Sequence, residues 1–236
     1  MDFQCVLSSS EIAYFQAALS GNLCLLLPES TREIISSRLS SVGLLEGEKL
    51  SELGEEIRQL QSADTPLFWL HSITSMQHVT YKLVSKNSLA YAVYSEGDDE
   101  SRISLLPFGR ATQEVAALTA RPTLVLGSAD SIIVQRELIG AIEAVDVDSI
   151  RHAVRGLIVD RIGAGLADVE WRLDLMFVSD MTKLEVEQLS ILAFLSIGEE
   201  LYRMAYHENS ELPDFVPEAP FSAWSRVASF LSRVDG

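Results

Sequence analysis

The sequence predicts an α+β protein: a duplicated α/β unit with pseudo-twofold symmetry, its central antiparallel sheet flanked by helices. Three observations carry that prediction. Residues Leu67 to Pro107 read as successive short strands joined by tight polar turns, with a helix after them. A degraded copy of the second half of that stretch recurs near the C-terminus. Ahead of each strand region, apolar residues recur at helical spacing.

In chain order, Phe3 to Leu7 is a short strand candidate. Ser8 with Glu11 three residues later is a capping box, opening a helix with Ile12, Phe15, Leu19 and Leu23 on one face. Gly21 and Asn22 end it. Pro28 to Ser30 open a second helix through Ile34, Ile35, Leu39 and Val42, stopped at Gly43. Lys49 to Leu60 reads as a third, closed by Asp64 to Pro66 because the residue before proline avoids the helical region. Strands follow at Leu67–Ile73, Val79–Val84, Leu89–Tyr94 and Arg102–Leu106, where β-branched and aromatic residues alternate in period two. The turns are Ser75 to His78, Ser85 to Ser88 and Glu96 to Glu100. Thr112 to Ala120 then forms a helix.

The second half starts the same programme. Thr123 to Leu126 is a strand candidate, and Ser128 caps a helix carrying Ile132, Ile133, Leu138 and Ile142. Asp148 caps the next, and strands follow at Val169–Val178, Leu189–Leu195 and Leu201–Tyr206. Phe215 and Val216 lead to a last helix, Ser222 to Val234, with Trp224, Val227, Phe230 and Leu231 inward. Leu89 aligns with Leu201, Tyr94 with Tyr206, and Pro107-Phe108 with Pro220-Phe221. Phe3 to Ile12 falls on Thr123 to Ile132, with Ser8 on Ser128, so the offsets are 120, 112 and 113. Two subdomains follow, 1–121 and 122–236, which together bury a shared core as one compact domain.

At 236 residues, with 47% hydrophobic and 22% charged side chains, a globular core is expected. No apolar run reaches the roughly 20 residues that span a bilayer, and no signal peptide is visible, so a cytoplasmic protein without membrane insertion is expected. The net charge of −16 divides as −6 over residues 1–121 and −10 over 122–236. Without clustered Lys and Arg, nucleic-acid binding has no electrostatic footing. Cys5 and Cys24 are close enough in character for a disulfide, and two reduced buried thiols are the simpler reading.

Chemical signatures are sparse. The four histidines form no HExxH or Cys/His cluster; His71 and His78 flank one predicted turn and could be neighbours, as structural histidines rather than a metal pair. Gly127-Ser128-Ala129-Asp130 sits where a nucleophile elbow would, but lacks the second glycine and a partnered histidine. Gly163 and Gly165 make no phosphate loop, and the acidic Glu96–Glu100 turn lacks a calcium-loop frame. No catalytic residue, cofactor or metal is expected. The candidate contacts are with a protein: Ser75, Met76, Gln77 and His78 in the first hairpin turn, and Trp224 on the last helix.

Four stretches carry a family resemblance: VLSSSEIAYF near the N-terminus; LSSVGLL ending one helix and leading to another; YKLVSKNSLAYAVYSE followed by ISLLP and a helix; and the C-terminal VPEAPFSAWSRVASFL. In these the chain resembles the EspG family, the cytosolic secretion-associated chaperones of ESX (type VII) systems in actinobacteria. The resemblance implies two related α/β halves around a central sheet. It implies binding of folded helical-hairpin heterodimers of the PE/PPE type before export, with no catalysis and no metal. A monomer or weak homodimer is expected. In the family the loop between the first two central strands helps hold the substrate tip; here that loop is short, Ser75 to His78, with Met76 at its apex. The alternatives are an interaction or regulatory module outside secretion and an enzyme of unrecognised class.

Overall fold

The computed structural model describes residues 2–22, 27–61, 65–97, 99–119, 125–126, 130–162, 169–179, 190–207 and 211–234. The N-terminal half runs β1 (Phe3–Ser8), α1 (Ser9–Leu19), α2 (Glu29–Ser41), β2 (Leu45–Glu46), β3 (Lys49–Leu50), α3 (Glu52–Leu60), β4 (Leu67–Thr74), β5 (His78–Lys86), β6 (Leu89–Glu96), β7 (Glu100–Pro107) and α4 (Phe108–Thr119). The C-terminal half runs β8 (Val125–Leu126), β9 (Ile132–Ile133), α5 (Arg136–Ala144), α6 (Val147–Ile162), β10 (Trp171–Ser179), β11 (Ser190–Ile197), β12 (Glu200–Ala205), β13 (Asp214–Pro217) and α7 (Pro220–Leu231).

The strand order is palindromic. One sheet reads β1-β7-β6-β5-β4-β10-β11-β12-β13-β9, with β8 added in parallel beside β12 and every other pairing antiparallel. Each half contributes a four-stranded meander and closes it with a strand from its own start. The halves meet where β4 and β10, the first strand of each meander, pair with His71 opposite Leu175. The expected α+β fold, with a duplicated unit around a central sheet, is the fold observed.

Period-two alternation divides the side chains between two faces. Leu67, Trp69, His71 and Ile73 of β4 share the front face, where Leu67 packs under α1–α3 while Trp69 and Ile73 pack with α5 and α6. Phe68 and Leu70 point to the back, into a core that also takes Met176 from β10, Val115 from α4 and Val227 and Phe230 from α7. Phe68 meets the Phe230 ring edge to face at 6.5 Å. Both halves therefore contribute to a core on each face of the sheet, while the cluster under α1–α3 is built from the N-terminal half alone.

Local chemistry sets the element ends. Ser8 caps α1 as expected: its Oγ accepts from Glu11 N at 3.3 Å, and Glu11 Oε2 accepts from Ser8 N at 2.8 Å. Several expected boundaries move. The third helix begins at Glu52, not Lys49, because Lys49 and Leu50 pair with Leu45 and Glu46 in a small hairpin, and Ser51 takes the cap by accepting from Gly54 N at 3.1 Å. Ile132 and Ile133 lie in a strand, and the helix expected there starts at Arg136. The cap of α6 is Asp146, not Asp148; its carboxylate accepts from Ser149 N and Oγ at 3.2 and 2.6 Å. The helix after Pro107 begins at Phe108 instead of Thr112, and the last helix begins at Pro220, whose ring suits a first helical turn. The opening match of Phe3 onto Thr123 does not hold at sheet level: the strand that occupies the place of β1 in the second half is β9. Ser128, Gly163, Gly165 and Cys24 lie outside the described residues, and Cys5 carries a half-buried free thiol.

Candidate partner-binding surfaces

The β4–β5 turn is small and closed by hydrogen bonds through Thr74. Thr74 N donates to Gln77 O at 2.9 Å, while Thr74 Oγ1 accepts from Met76 N and Gln77 N at 3.2 and 2.9 Å. This arrangement leaves the Met76 side chain 86% exposed at the apex of a stiff support. Two neighbours brace the turn. Gln77 Nε2 donates to Glu96 Oε1 at 3.2 Å from the next hairpin, and Arg151 Nε of α6 donates to Thr74 O at 3.0 Å. Between the turn, Glu96–Gly97 and the α5–α6 corner lies an open cleft of about 680 Å³. That corner is sharp because Val145 adopts a left-handed conformation at the end of α5, with φ of 51°.

His71 and His78 do become neighbours. Nδ1 of His71 and Nε2 of His78 are 3.1 Å apart, the ring centroids are 5.4 Å apart, and the planes are inclined by only 12°. A centroid separation equal to one N···N bond plus two ring radii means the imidazoles lie side by side in one plane, joined edge to edge, and are not stacked face to face. One nitrogen donates and the other accepts along the line between the rings. Phe177 meets His71 edge-on at 5.9 Å. Burial first, then the charges of His78 and Lys82, hold the His71 imidazole down to about 4. Among the described residues, no group of three or more His, Cys, Asp or Glu is placed to hold a metal.

Trp224 is elsewhere. It lies on α7, behind the sheet, whereas the turn leans on the α5–α6 corner in front, so the candidate contacts do not form one surface. Val227, Phe230 and Leu231 are core, as their spacing implied, but Trp224 is 41% exposed. It borders a cavity of about 280 Å³ between α4 and α7 whose floor holds Asp174. Asp174 is buried and accepts from Arg172 Nε at 2.8 Å, and the same guanidinium donates to Leu118 O at the end of α4. A further cavity of about 330 Å³ opens in front, beside Ile12, Trp69, Lys82 and Tyr91. There the Lys82 ammonium sits 5.4 Å above the Trp69 ring, and burial raises the Tyr91 hydroxyl above its ordinary range.

Sequence reading located the turn but not its supports. Arg151 is far from Thr74 in the chain, and Val145 carries none of the glycine or asparagine that marks a left-handed cap. It also missed Glu218, a buried carboxylate that accepts from Arg203 Nε at 2.8 Å and lies 3.4 Å from Arg226 Nε. The one available signal was an acid in the linker before an apolar helix.

No family model matches the chain, and no curated protein matches it in sequence. Among solved structures it is similar to the Mycobacterium tuberculosis type VII secretion system chaperone EspG5, solved in complex with the PE25-PPE41 dimer. The TM-score is 0.54 and the identity 11%, over 98% of this chain and 96% of that one. At that identity the likeness is one of fold alone.

Proposed function

We propose that the protein is a non-enzymatic cytoplasmic chaperone or adaptor that binds helical-hairpin substrates, of the PE/PPE kind, of a type VII secretion system. The observation that carries this reading is the end-to-end likeness of fold to a chaperone captured with such a dimer. The geometry of the first hairpin turn supports it. A client tip seats in the cleft between Ser75–His78 and the α5–α6 corner, and the Met76 thioether, flexible and apolar, adapts to it. Gln77, bonded to Thr74 and Glu96, and His78, bonded to His71, hold the turn's shape beneath the contact, with Ser75 exposed beside Met76. The short turn reaches less far than a long loop would, so the client approaches closely enough to touch the corner at Val145 to Asp148.

Co-expression with each candidate helical-hairpin pair from the same genome, followed by affinity capture and size-exclusion chromatography with light scattering, tests this. A stable complex with one copy of this chain is expected. Met76→Asp should weaken it by about tenfold or more without lowering the melting temperature, because the side chain is exposed in the free protein. Failure to bind any secretion substrate from that genome sinks the reading.

A further inference from the structure

The back of the molecule carries a second feature, a groove of about 700 Å³ running between α7 and the ends of β11 and β12. The side of α7 that faces it is not the core side. Its walls include Phe221, Arg226 and Arg233 from the helix segment, Arg203 and Met204 from β12, and Ile191 from β11; among the described residues, no acidic side chain lines it. In a chain with 18 Lys and Arg against 34 Asp and Glu, three guanidinium groups in one groove are a local reversal of sign.

The groove is held in shape before anything enters it. Glu218, with its side chain only 8% exposed, fixes Arg203 at 2.8 Å and Arg226 at 3.4 Å. Arg203 is locked further by donating through Nη1 to Met204 O at 3.2 Å, and Arg233 lies over the Phe230 ring at 5.4 Å. One carboxylate shared by two guanidiniums leaves forked N–H donors unspent, since each guanidinium carries five. Beside them sits Phe221, 81% exposed. Pre-set arginines next to an exposed aromatic ring have the composition of an interface centre.

We infer that this groove docks a short acidic segment of a partner protein, its carboxylates on Arg203 and Arg226 and an apolar side chain against Phe221. Charge selects this occupant. A polyanion or an anionic bilayer is repelled by the net charge of −16 over the rest of the surface. A short segment places its few carboxylates inside the groove, within a screening length of about 8 Å at physiological salt. The site is on the opposite side of the sheet from the Ser75–His78 turn, so it is independent of the client reading and leaves room for both partners.

The test uses the full chain. Random dodecapeptides displayed on phage are selected against it, and the enriched sequences are synthesised and titrated by fluorescence polarisation. Enriched peptides should carry paired Asp or Glu beside an aromatic or aliphatic residue. Arg226→Gln and Phe221→Ala should each weaken binding by about tenfold. Met76→Asp should leave binding unchanged, and Phe221→Ala should leave the melting temperature unchanged. The inference is overturned if selection enriches nothing, if the enriched peptides lack acidic residues, or if the substitutions do not alter their affinity. It is also overturned if inorganic phosphate at matched charge displaces them completely, which would make this a simple anion site.

Discussion

His71 is held neutral by its surroundings, and that has a direction in pH. Its ordinary value is 6.5, and in the fold it lies at about 4. As pH falls, the unfolded chain therefore takes up the proton first, and folding loses free energy between about pH 6.5 and 4. The groups that face it are His78 on β5, Lys82 further along the same strand, and the Phe177 ring from β10. Replacing His71→Gln keeps a hydrogen-bonding group toward His78 and removes the titration. Chemical denaturation at a series of pH values should then show a shallower loss over that window, by up to about 1.4 kcal/mol per pH unit. Identical slopes in the two proteins would mean that His71 titrates normally. The pairing itself was legible in the sequence, because two strand residues flanking a tight turn on one face must meet. The depressed basicity was not, since its largest cause is burial, which exists only once the sheet and its helices have assembled.

Elements are where sequence and structure agree best, and the disagreements have a common cause. The alternation in Leu67 to Leu106 determined four strands almost to the residue, and Ser8 with Glu11 determined a cap. Boundaries moved wherever a tertiary partner outbid a local pattern. Lys49 and Leu50 fit a helical stripe, yet they pair with Leu45 and Glu46 because Gly47, at φ 66°, turns the chain back. The same corner yields a sharp prediction at Gly54 in α3. A Cβ there would lie 2.5 Å from Leu44 O, a backbone atom that cannot step aside. Gly54→Ala, which raises intrinsic helix propensity, should nevertheless destabilise the protein by about 1–3 kcal/mol in urea unfolding. A stabilised variant would show that the β2–β3 hairpin does not close on α3. Neither the Met76 cleft nor the arginine groove could be read at this scale, because each is assembled from elements of distant sequence.

At the scale of the whole molecule, the two halves are stitched through β4 and β10, and the back core takes side chains from both. A fragment ending at residue 121 would expose β4 along its length, together with Phe68 and Leu70. We expect that fragment to dimerise or aggregate through β4, read by light scattering; a stable folded monomer would show that the halves are independent. The duplication was visible in the sequence as matching spacing from Leu89 onward, and invisible at the start, where β9 shares little with β1. That divergence has its own meaning. A sheet made by repeating one unit has, by construction, two ends of the same kind, and nothing in the repeat itself says stop: a third unit could join, then a fourth, into a ribbon. Here one end, β1, runs six residues, and the other, β9, only two. Two paired residues offer too little backbone to receive another chain. The shortened strand is what makes this architecture a finite object: a tandem ended at two, with one side of it closed to growth.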